Sequence, residues 1–400
     1  MSSSAFRLGC AWLTLFVIGT DLFVVAPLLP DVAADLGVAP ARSGWCVTAF
    51  SLTYMVTAPA LGRAADGFGR ARLLVMALLA FAAANLYAGL TRDFAGLLVA
   101  RTAAGAAAAG VTPSIYALVG DSAPAERRAT WFAVTVSGLL LSLALGAPLG
   151  TLVATAFGWQ SVFLGVAAAS ILLLPLYRAA WPGKSAAAGA TGDLEKSGFL
   201  LLAPRLAPTA VWSTALYALY TYLGIGLAGW GYGPDRIAAA VLCYGAGALV
   251  GALCGGRLAD RLGARRVSLI SLASLAAALL ALGPALRGGV PIELLLAVLS
   301  ALAQLFFPAQ QASLARDFAA SRATALAWNN SALFLGIGTG SLIGGAIMAQ
   351  ADLVAVATVS AVIAMAGAAL VGRVVPGSAP AEPAHPALKP VGSERDFRGC

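Results

Sequence analysis

Apolar runs of about 20 residues, separated by short polar segments, recur along the chain from residue 8 to residue 372. A run of this length crosses roughly 30 Å of hydrocarbon as an α-helix. We count twelve such runs and predict that each forms a membrane-spanning helix. Numbered as spans 1 to 12, they are Leu8–Pro30, Ser43–Gly62, Ala71–Leu90, Phe94–Val119, Thr130–Thr155, Ser161–Ala180, Ala207–Trp230, Ile237–Gly256, Val267–Leu286, Pro291–Leu314, Thr324–Met348 and Leu353–Gly372.

The polar segments divide the spans into two sets of six. Residues 181–205 are rich in Gly, Ser, Ala and Pro with interspersed charge, which predicts a linker between the halves 1–180 and 206–373. The proline-punctuated residues 374–400 predict a disordered tail. The predicted fold is therefore an all-α membrane protein made of two six-helix bundles.

Two similar Arg/Asp segments support this division. LGRAADGFGRAR begins at Leu61 and GGRLADRLGARR begins at Gly255, and each joins two spans. Aligning Gly62 with Gly256 places the copies about half the chain length apart. The spacing predicts an internal duplication that relates the halves by a pseudo-twofold axis.

Composition agrees with a membrane protein: 60% of the residues are hydrophobic, 10% are charged, and the mean hydropathy is +0.87. The net charge of +8 does not indicate nucleic-acid binding, because the basic residues lie in short loops between spans. Twenty of the 25 Lys and Arg residues fall on one side of the twelve-span plan and four on the other. This asymmetry predicts that both termini and the linker are cytoplasmic in a multi-pass protein of the cell (cytoplasmic or inner) membrane.

The sequence lacks the residues that several classes of function require. The five cysteines show no pairing or metal-ligand spacing, and the single histidine, His385, lies in the tail. An enzyme would need a nucleophile with a base or a metal cluster, and an ATP-driven pump would need a phosphate-binding loop; neither pattern is present. We expect no enzyme activity, no metal and no cofactor.

Asp21 and Arg101 are the two clear ionisable residues deep inside spans, where such residues are costly unless they face a cavity or a partner. Asp21 precedes the predicted end of span 1 by roughly 13 Å, and Arg101 follows the start of span 4 by roughly 10 Å. The two side chains can therefore meet. Our hypothesis is that Asp21 carries a proton beside Arg101; a static structural pair and a substrate contact are the alternatives.

The two Arg/Asp segments resemble the loop motif of the major facilitator superfamily, roughly G-x-L-A-D-R-x-G-R-R. The second copy matches closely, whereas the first has Ala64 for the usual Leu and Gly67 for the usual Arg. The resemblance implies a gating latch, in which each Asp lies at the N-terminus of a helix of the other half: Asp66 on span 11 and Asp260 on span 5. The candidate latch residues are Gly62, Asp66, Gly69, Arg70, Gly256, Arg257, Asp260, Arg261 and Gly263.

Further motifs are similar to twelve-helix drug:proton antiporters, especially the arabinose-efflux and chloramphenicol-resistance-like exporters. They are Gly146, Pro148 and Gly150 of span 5, followed by GWQSVF with Gln160 in place of the usual Arg; Arg101 with Gly105 and Gly110; and the string Asp21–Val38. The resemblance implies a secondary active transporter that exports a small amphipathic organic compound or drug against protons by alternating access. A sugar or metabolite exporter, or a proton symporter or uniporter of the same fold, is the alternative.

Small residues recur four apart in three spans. We expect them to smooth the boundary between the halves, although a chain with 45 glycines produces such spacing by chance as well. Pro148 predicts a bend in span 5, because proline removes a helical hydrogen bond. The three rows are Gly138, Ser142, Gly146 and Gly150 in span 5; Gly247, Gly251 and Gly255 in span 8; and Gly336, Gly340 and Gly344 in span 11.

Family geometry would place a substrate cavity between spans 1, 2, 4, 5, 7, 8, 10 and 11. Aromatic and amide side chains there suit an amphipathic molecule, or a sugar, better than a multiply charged one. The expected partners are this solute, protons and the lipid bilayer, with no nucleic acid, and we expect a monomer. The candidate cavity residues, each of which could equally serve packing, are Tyr54, Tyr217, Tyr220, Gln304, Gln310, Asn329 and Asn330.

Overall fold

The computed structural model describes residues 3–124, 127–181, 196–318 and 322–373. Within these ranges the chain is almost entirely helical and contains no strand. In hydrocarbon, every backbone N–H and C=O group needs a partner within the protein, and the α-helix satisfies nearly all of them inside one segment. The twelve apolar runs accordingly fold as helices.

The first half contains spans 1 to 6, and the second half contains spans 7 to 12. The elements of the first half are α1 (Ser3–Asp35), α2 (Pro40–Ser43), α3 (Trp45–Phe68), α4 (Arg70–Leu90), α5 (Phe94–Ser122), α6 (Arg128–Leu141), a π-helical turn (Ser142–Gly146), α7 (Ala147–Phe157) and α8 (Trp159–Ala180). The elements of the second half are α9 (Lys196–Thr221), α10 (Leu223–Gly229), α11 (Pro234–Leu262), α12 (Ala264–Arg287), α13 (Ile292–Gln304), α14 (Phe306–Asp317), α15 (Arg322–Met348) and α16 (Leu353–Arg373).

Three of the spans consist of more than one element. Span 5 consists of α6, the π turn and α7, span 7 of α9 and α10, and span 10 of α13 and α14. Ten helical stretches of the described residues have the length and hydropathy of a membrane span. Together with α3 and α9 they make up the twelve helices of the predicted plan, and the chain is a multi-pass membrane protein.

The connection between span 2 and span 3 has the same backbone geometry as its repeat between span 8 and span 9. Gly69 joins α3 to α4 with φ 86° and ψ 128°, and Gly263 joins α11 to α12 with φ 86° and ψ 138°. Positive φ strains residues that carry a Cβ, so glycine permits this tight reversal. We call the end of the bundle that contains Gly69 and Gly263 the basic end, and the opposite end, where α1 ends and α3 begins, the far end.

Several predicted boundaries differ from the structure. Helix α3 continues to Phe68 and α11 to Leu262, so the two Arg/Asp segments that we predicted as loops between spans are largely helical. Helix α1 continues to Asp35, beyond the predicted end at Pro30, because polar residues end an apolar run without ending a helix that projects from the bilayer. Helix α9 begins at Lys196, inside the range 181–205 that we predicted as linker. Leu202 and Leu206 of this helix pack with α14 and α15 in an apolar cluster, which stabilises the additional turns. Residues 182–195 and the predicted tail, 374–400, lie outside the described residues.

The rows of small residues lie inside each half, so the expectation that they line the boundary was wrong. A Cβ atom at Gly146 would collide with Thr20 of α1, and one at Gly340 would lie 2.6 Å from the backbone oxygen of Thr214 in α9. The row in α11 faces α13 in the same way. Close backbone approach therefore holds neighbouring helices of one half together. The spacing located a smooth helix face, but it does not tell which neighbour that face meets.

The two halves meet mainly at the far end. There α3 packs against α15, α10 against α1, and the π turn with α7 against α11. Every residue of 21–29 in α1 and of 215–227 in α9 and α10 is buried, whereas the basic-end parts of these helices alternate between buried and accessible residues. The bundle is therefore sealed at the far end.

Hydrogen bonds from side chains to backbone carbonyl groups reinforce this seal. Four such bonds cross between the halves within the described residues. They join Tyr220 Oη to the oxygen of Phe23 at 2.9 Å, Tyr222 Oη to that of Ala41 at 2.9 Å, Ser341 Oγ to that of Gly44 at 2.7 Å, and Thr48 Oγ1 to that of Gly338 at 3.5 Å.

Candidate functional site

An ion pair lies in the interior of the first half, between α1 and α5. The Nη1 atom of Arg101 lies 2.7 Å from Oδ1 of Asp21, and the two side chains are 1% and 0% exposed. They are the only charged side chains that are buried in the described part of the chain. Removing two charges from water costs several kcal/mol for each ion, which close pairing offsets. The structure thus brings together the two intramembrane charges that the sequence singled out.

The pair leaves hydrogen-bonding capacity unused. Oδ2 of Asp21 and Nε of Arg101 are buried and have no hydrogen-bond partner among the described residues. The Nη2 atom of Arg101 lies 3.5 Å from the backbone oxygen of Asp21, at the outer limit of a hydrogen bond. A carboxylate oxygen without a donor can accept a proton or a donor group of a ligand.

Two aromatic rings flank the Arg101 guanidinium. Its Cζ atom lies 4.6 Å from the ring centroid of Phe50 on α3 and 5.6 Å from that of Phe163 on α8. An aromatic face attracts a cation, and the attraction is greatest where water is excluded. The rings stabilise the positive charge of Arg101 whether or not Asp21 is ionised.

The far-end terminus of α1 is fastened to the turn between α7 and α8. Oδ2 of Asp35 accepts hydrogen bonds from Trp159 Nε1 at 2.9 Å and Gln160 Nε2 at 2.8 Å. Gly158 makes the turn with φ 82°. Gln160, which replaces the usual arginine of the motif, thus still binds a carboxylate, although its amide donor carries no positive charge.

Tyr54 and Asn330, two candidate cavity residues, meet across the boundary between the halves. Asn330 Nδ2 donates to Tyr54 Oη at 2.9 Å. Phe334, one turn further along α15, stacks on Tyr54 with ring centroids 3.6 Å apart and lies 6.3 Å from Phe50. These four residues form a cross-half aromatic contact beside the ion pair.

The candidates Tyr217 and Tyr220 belong to a cluster of buried rings that also includes Tyr244. The ring centroids of Tyr217 and Tyr220 are 6.0 Å apart, and those of Tyr220 and Tyr244 are 4.9 Å apart. Tyr220 packs edge-on against Phe23 of α1 at 6.3 Å. The cluster therefore contacts both halves close to the far-end seal.

The remaining amide candidates lie within the second half. Asn329 Oδ1 accepts a hydrogen bond from Thr209 at 2.6 Å, while its Nδ2 atom is buried with no partner among the described residues. Gln310 Nε2 donates to the backbone oxygen of Arg205 at 2.7 Å. Gln304 is 7% exposed at the end of α13. These three residues do not adjoin Tyr54 and Asn330 through any hydrogen bond that the structure gives.

The structure describes the two loop motifs unequally. The side chains of Asp66 and Arg70 and the surroundings of Gly62 lie outside what the structure describes, although the backbone of these residues belongs to α3 and α4. In the second copy, Arg257, Asp260 and Arg261 are exposed on the last turns of α11, and none forms an ion pair with a described residue. The latch remains a prediction.

In the span 5 motif, Pro148 produces a local π-helical turn. Pro148 has no N–H group, and just before it the N–H of Ala147 bonds to the oxygen of Ser142, five residues back. The turn bulges toward α11, where a Cβ atom at Gly245 would lie 2.6 Å from the oxygen of Leu143. The predicted bend is thus a π turn that forms part of the contact between the halves.

Sequence reasoning missed several residues around the ion pair and the far-end seal. Phe163 lies in the quoted GWQSVF string, but nothing in the pattern indicated that its ring faces Arg101. Phe50, Phe334 and Tyr222 are single aromatic residues in apolar spans, and their periodicity does not distinguish them from ordinary core residues. Only a three-dimensional arrangement shows which aromatic side chains meet a charge.

Comparison with known proteins places this architecture. A family model described as the Major Facilitator Superfamily matches residues 11–233 and 227–396. The chain belongs to the major facilitator superfamily. A crystal structure of a bacterial homologue of the human lysosomal transporter Spinster, in an inward-facing and unoccupied conformation, has this superfamily fold; it is 18% identical, has a TM-score of 0.71 and covers 93% of this chain and 96% of that chain.

Relatives within the superfamily include proteins named for drugs and for metabolites. The chain is 32% identical over 252 residues to a chloramphenicol resistance protein of Streptomyces lividans, across 61% of this chain and 64% of that protein. It is 28% identical over 298 residues to a 3-(3-hydroxy-phenyl)propionate transporter of Escherichia coli, across 70% and 72%. The chain spans just under two thirds of the length of the curated relatives that it matches first. Membership of this superfamily agrees with the expectation that the chain is not an enzyme.

Proposed function

We propose that this chain is a secondary active transporter that exports a small amphipathic organic compound in exchange for protons. The basic end and both termini would face the cytoplasm in the cell membrane, as the distribution of Lys and Arg indicates. The proton gradient would supply the energy, without a further cofactor. The two halves would expose the site alternately to the two sides.

The buried Asp21–Arg101 pair carries this proposal. A carboxylate that is 0% exposed, with one oxygen bound to Arg101 and the other without a donor, is positioned to gain and lose a proton as its surroundings change. A static pair would gain stability if both oxygens were bound. The unused capacity therefore supports a functional role over a purely structural one.

The conformation supports alternating access. The far end is sealed by Tyr220, Tyr222 and Ser341, while close packing of small residues holds the helices within each half together. Two internally rigid bodies joined at one end can rock about that contact. We infer that the structure represents the state in which access to the site from outside is closed.

The chloramphenicol resistance protein among the relatives favours an amphipathic drug-like solute. The rings of Tyr54, Tyr217 and Tyr220 and the amide of Asn330 are the candidate contacts for its apolar and hydrogen-bonding parts. The 3-(3-hydroxy-phenyl)propionate transporter favours a second candidate function, the transport of an aromatic metabolite together with a proton. Both readings keep Asp21 as the proton-binding group.

Proton flux in liposomes tests the proposal. The purified protein is reconstituted with a pH-sensitive dye inside, and chloramphenicol or 3-(3-hydroxy-phenyl)propionate is added as the probe. Antiport moves protons opposite to the solute, whereas symport moves them together with it. Proton flux that needs no solute would contradict coupling between the two. Transport of a solute without any proton flux would contradict proton-coupled transport as well.

The variant Asp21→Asn identifies the proton carrier in the same assay. We expect loss of gradient-driven uptake, because an amide cannot release a proton, while exchange of labelled for unlabelled solute continues. Asp35→Asn is the matched control, since Asp35 binds Trp159 and Gln160 at the far end rather than Arg101. Gradient-driven uptake that persists in Asp21→Asn would reject this role.

A further inference from the structure

The ring of Phe50 contacts a charge in its own half and an aromatic ring of the other half. Arg101 Cζ lies 4.6 Å from its centroid, and the ring of Phe334 lies 6.3 Å away at an interplanar angle of 41°. Phe50 itself is 0% exposed, so no water separates these groups. Phe163, the second ring beside Arg101, packs instead on Trp159 of its own helix and half.

We propose that Phe50 is a positioning residue that couples the state of the Asp21–Arg101 pair to the contact between the halves through Phe334. The proposal rests on the proposed function, because it assumes that Asp21 is protonated during transport. It adds a route by which that protonation reaches α15, a helix that neither Asp21 nor Arg101 contacts through a hydrogen bond within the described residues.

The physical basis is the change in the partners of Arg101. With Asp21 ionised, the guanidinium is drawn toward Oδ1 at 2.7 Å. When Asp21 is neutral, this attraction weakens, and the aromatic rings become the principal partners of a buried cation. The guanidinium then shifts toward the rings, and in a close-packed interior a ring that accommodates it must move its own neighbours.

Phe50 and Phe163 respond to this shift with different consequences. A displacement of Phe50 changes its packing on Phe334 and hence the stacking of Phe334 on Tyr54, whose ring centroids are 3.6 Å apart. The hydrogen bond from Asn330 to Tyr54 Oη lies on the same contact. A displacement of Phe163 is absorbed within the first half.

Few other charged or titratable groups act on Arg101. Asp21 on α1 and Cys46 on α3 are those with an electrostatic interaction with it in the described residues. From α8 and α15 the groups that face this region are the uncharged rings of Phe163 and Phe334. Tyr54 of α3, stacked on Phe334, is a further titratable group at this contact. A response to pH there therefore originates at Asp21, at the Cys46 thiol or at the Tyr54 hydroxyl, and the Asp21→Asn variant separates Asp21 from the other two.

Cys46 provides a reporter for the far-end contact. It is 1% exposed on the first turn of α3, two residues after Gly44, whose backbone oxygen accepts the cross-half hydrogen bond of Ser341. Separation of the halves there would expose its thiol to a membrane-impermeant maleimide. With the other four cysteines replaced by alanine, the labelling rate measures this opening.

The experiment compares labelling rates over a series of pH values in proteoliposomes. Each rate is divided by that of the same protein carrying Asp21→Asn, which cancels the intrinsic pH dependence of the thiol. For the parent protein we expect a ratio near one when Asp21 is protonated. When Asp21 is ionised, the ratio should differ from one by at least about fivefold, which is the lower end of typical coupling between sites.

The variants Phe50→Leu and Phe334→Leu remove the aromatic contact while keeping an apolar side chain, and we expect a ratio near one at every pH. The matched control Phe163→Leu removes a ring from Arg101 without touching the other half. It should shift the pH of the transition while keeping its amplitude. Thermal unfolding of each protein verifies that it is folded, and Phe334→Leu decides the question if Phe50→Leu does not fold.

Three results would overturn the coupling role of Phe50. A pH response of full amplitude in Phe50→Leu and Phe334→Leu would exclude it while leaving the role of Asp21 intact. Equal loss of amplitude in Phe50→Leu and Phe163→Leu would mean that both rings act only by stabilising Arg101. A flat ratio in the parent protein would remove the link between Asp21 and the far end, while proton flux in liposomes would still test the proposed function separately.

Discussion

At the scale of single residues, the interior charge of the first half is balanced by one close contact. Arg101 and Asp21 are joined at 2.7 Å, and two rings and no second acid surround the guanidinium in the described residues. Because each charge depends on the other, removing one leaves the other buried without a partner. The destabilisation caused by replacing Arg101 alone or Asp21 alone should therefore differ from that caused by replacing both.

Arg101→Met should destabilise the protein by about 3–5 kcal/mol, because it leaves the Asp21 carboxylate buried and unpaired. Adding Asp21→Asn should recover most of this loss, since a neutral amide is less costly to bury than a charge. Thermal unfolding in detergent measures both effects. The exposed pair Arg236–Glu293, 3.2 Å apart and 60% and 24% exposed, provides the control: Arg236→Met should cost about 0–1 kcal/mol.

A double variant no more stable than Arg101→Met would indicate that Arg101 contributes through packing rather than charge. The long side chain of Arg101 fills space between Phe50 and Phe163, so its replacement can destabilise the protein through lost packing as well as through lost charge.

At the scale of helices, the glycines of α11 act in two directions. A Cβ atom at Gly247 would collide with the oxygen of Ala297 in α13, inside the second half. One at Gly245, half a turn earlier, would collide with Ala144 in the π turn of the other half. One helix thus combines a contact that must persist with a contact that can separate.

Alanine substitutions should distinguish these two contacts. Gly247→Ala should lower the free energy of unfolding by about 1–3 kcal/mol, because overpacking within a half has no other relief. Gly245→Ala should instead favour separation of the halves at the far end, since that movement relieves the collision without unfolding. Thermal unfolding and the labelling rate of Cys46 measure the two outcomes. Equal destabilisation by both variants, with unchanged labelling, would contradict the distinction.

The sequence predicted the order and number of the helices because the length of an apolar run is set by the thickness of the bilayer. It could not predict their faces. Gly146 and Gly340 each lie four residues from other small residues, and this spacing is the same for any packing partner. Only tertiary packing determines that they face α1 and α9. The start of α9 and the end of α1 were predicted incorrectly for a related reason. Hydropathy marks where a segment leaves the membrane, not where its helix begins or ends.

The candidate site was predictable only as far as charge is concerned. A carboxylate and a guanidinium inside apolar spans are conspicuous, since their burial is costly, and the structure places them in contact. Aromatic and amide residues have no such cost signature. Tyr54 and Asn330 meet across the boundary, whereas Gln310 bonds to the backbone within the second half, and the sequence assigned the same candidate role to all three.

At the scale of the whole molecule, the far-end seal depends on a small number of polar contacts. The Tyr222 hydroxyl donates to the oxygen of Ala41 in the first half at 2.9 Å and lies 3.1 Å from that of Ser341 in its own half. Ser341 in turn donates to the oxygen of Gly44. The short helix α2 and its flanking residues are thereby tied to α15.

Tyr222→Phe should shift the equilibrium toward the far-end-open state by about fivefold, since one hydrogen bond contributes about 1 kcal/mol. Distances between spin labels on the exposed residues Ala34 and Ala228, one in each half, report this shift. Tyr177→Phe is the matched control, because Tyr177 bonds to Thr14 at 2.9 Å within the first half. A distance distribution that changes equally in both variants would exclude a specific role for Tyr222.

In the described part of the chain, four hydrogen bonds cross between the halves at the far end, and each is accepted by a backbone carbonyl oxygen. This choice of acceptor has a genetic consequence. Substitution at Phe23 or Ala41 changes a side chain but leaves the carbonyl oxygen in place, whereas a Cβ atom at Gly44 would collide with the Tyr222 hydroxyl and one at Gly338 would lie 2.7 Å from Leu52. Loss of these bonds by point mutation is thus concentrated in the codons of the hydroxyl-bearing donors and of the two glycine acceptors. A mutant library screened for far-end opening should therefore be enriched in hydroxyl-removing changes at Tyr220, Tyr222, Thr48 and Ser341 and in replacements of Gly44 and Gly338.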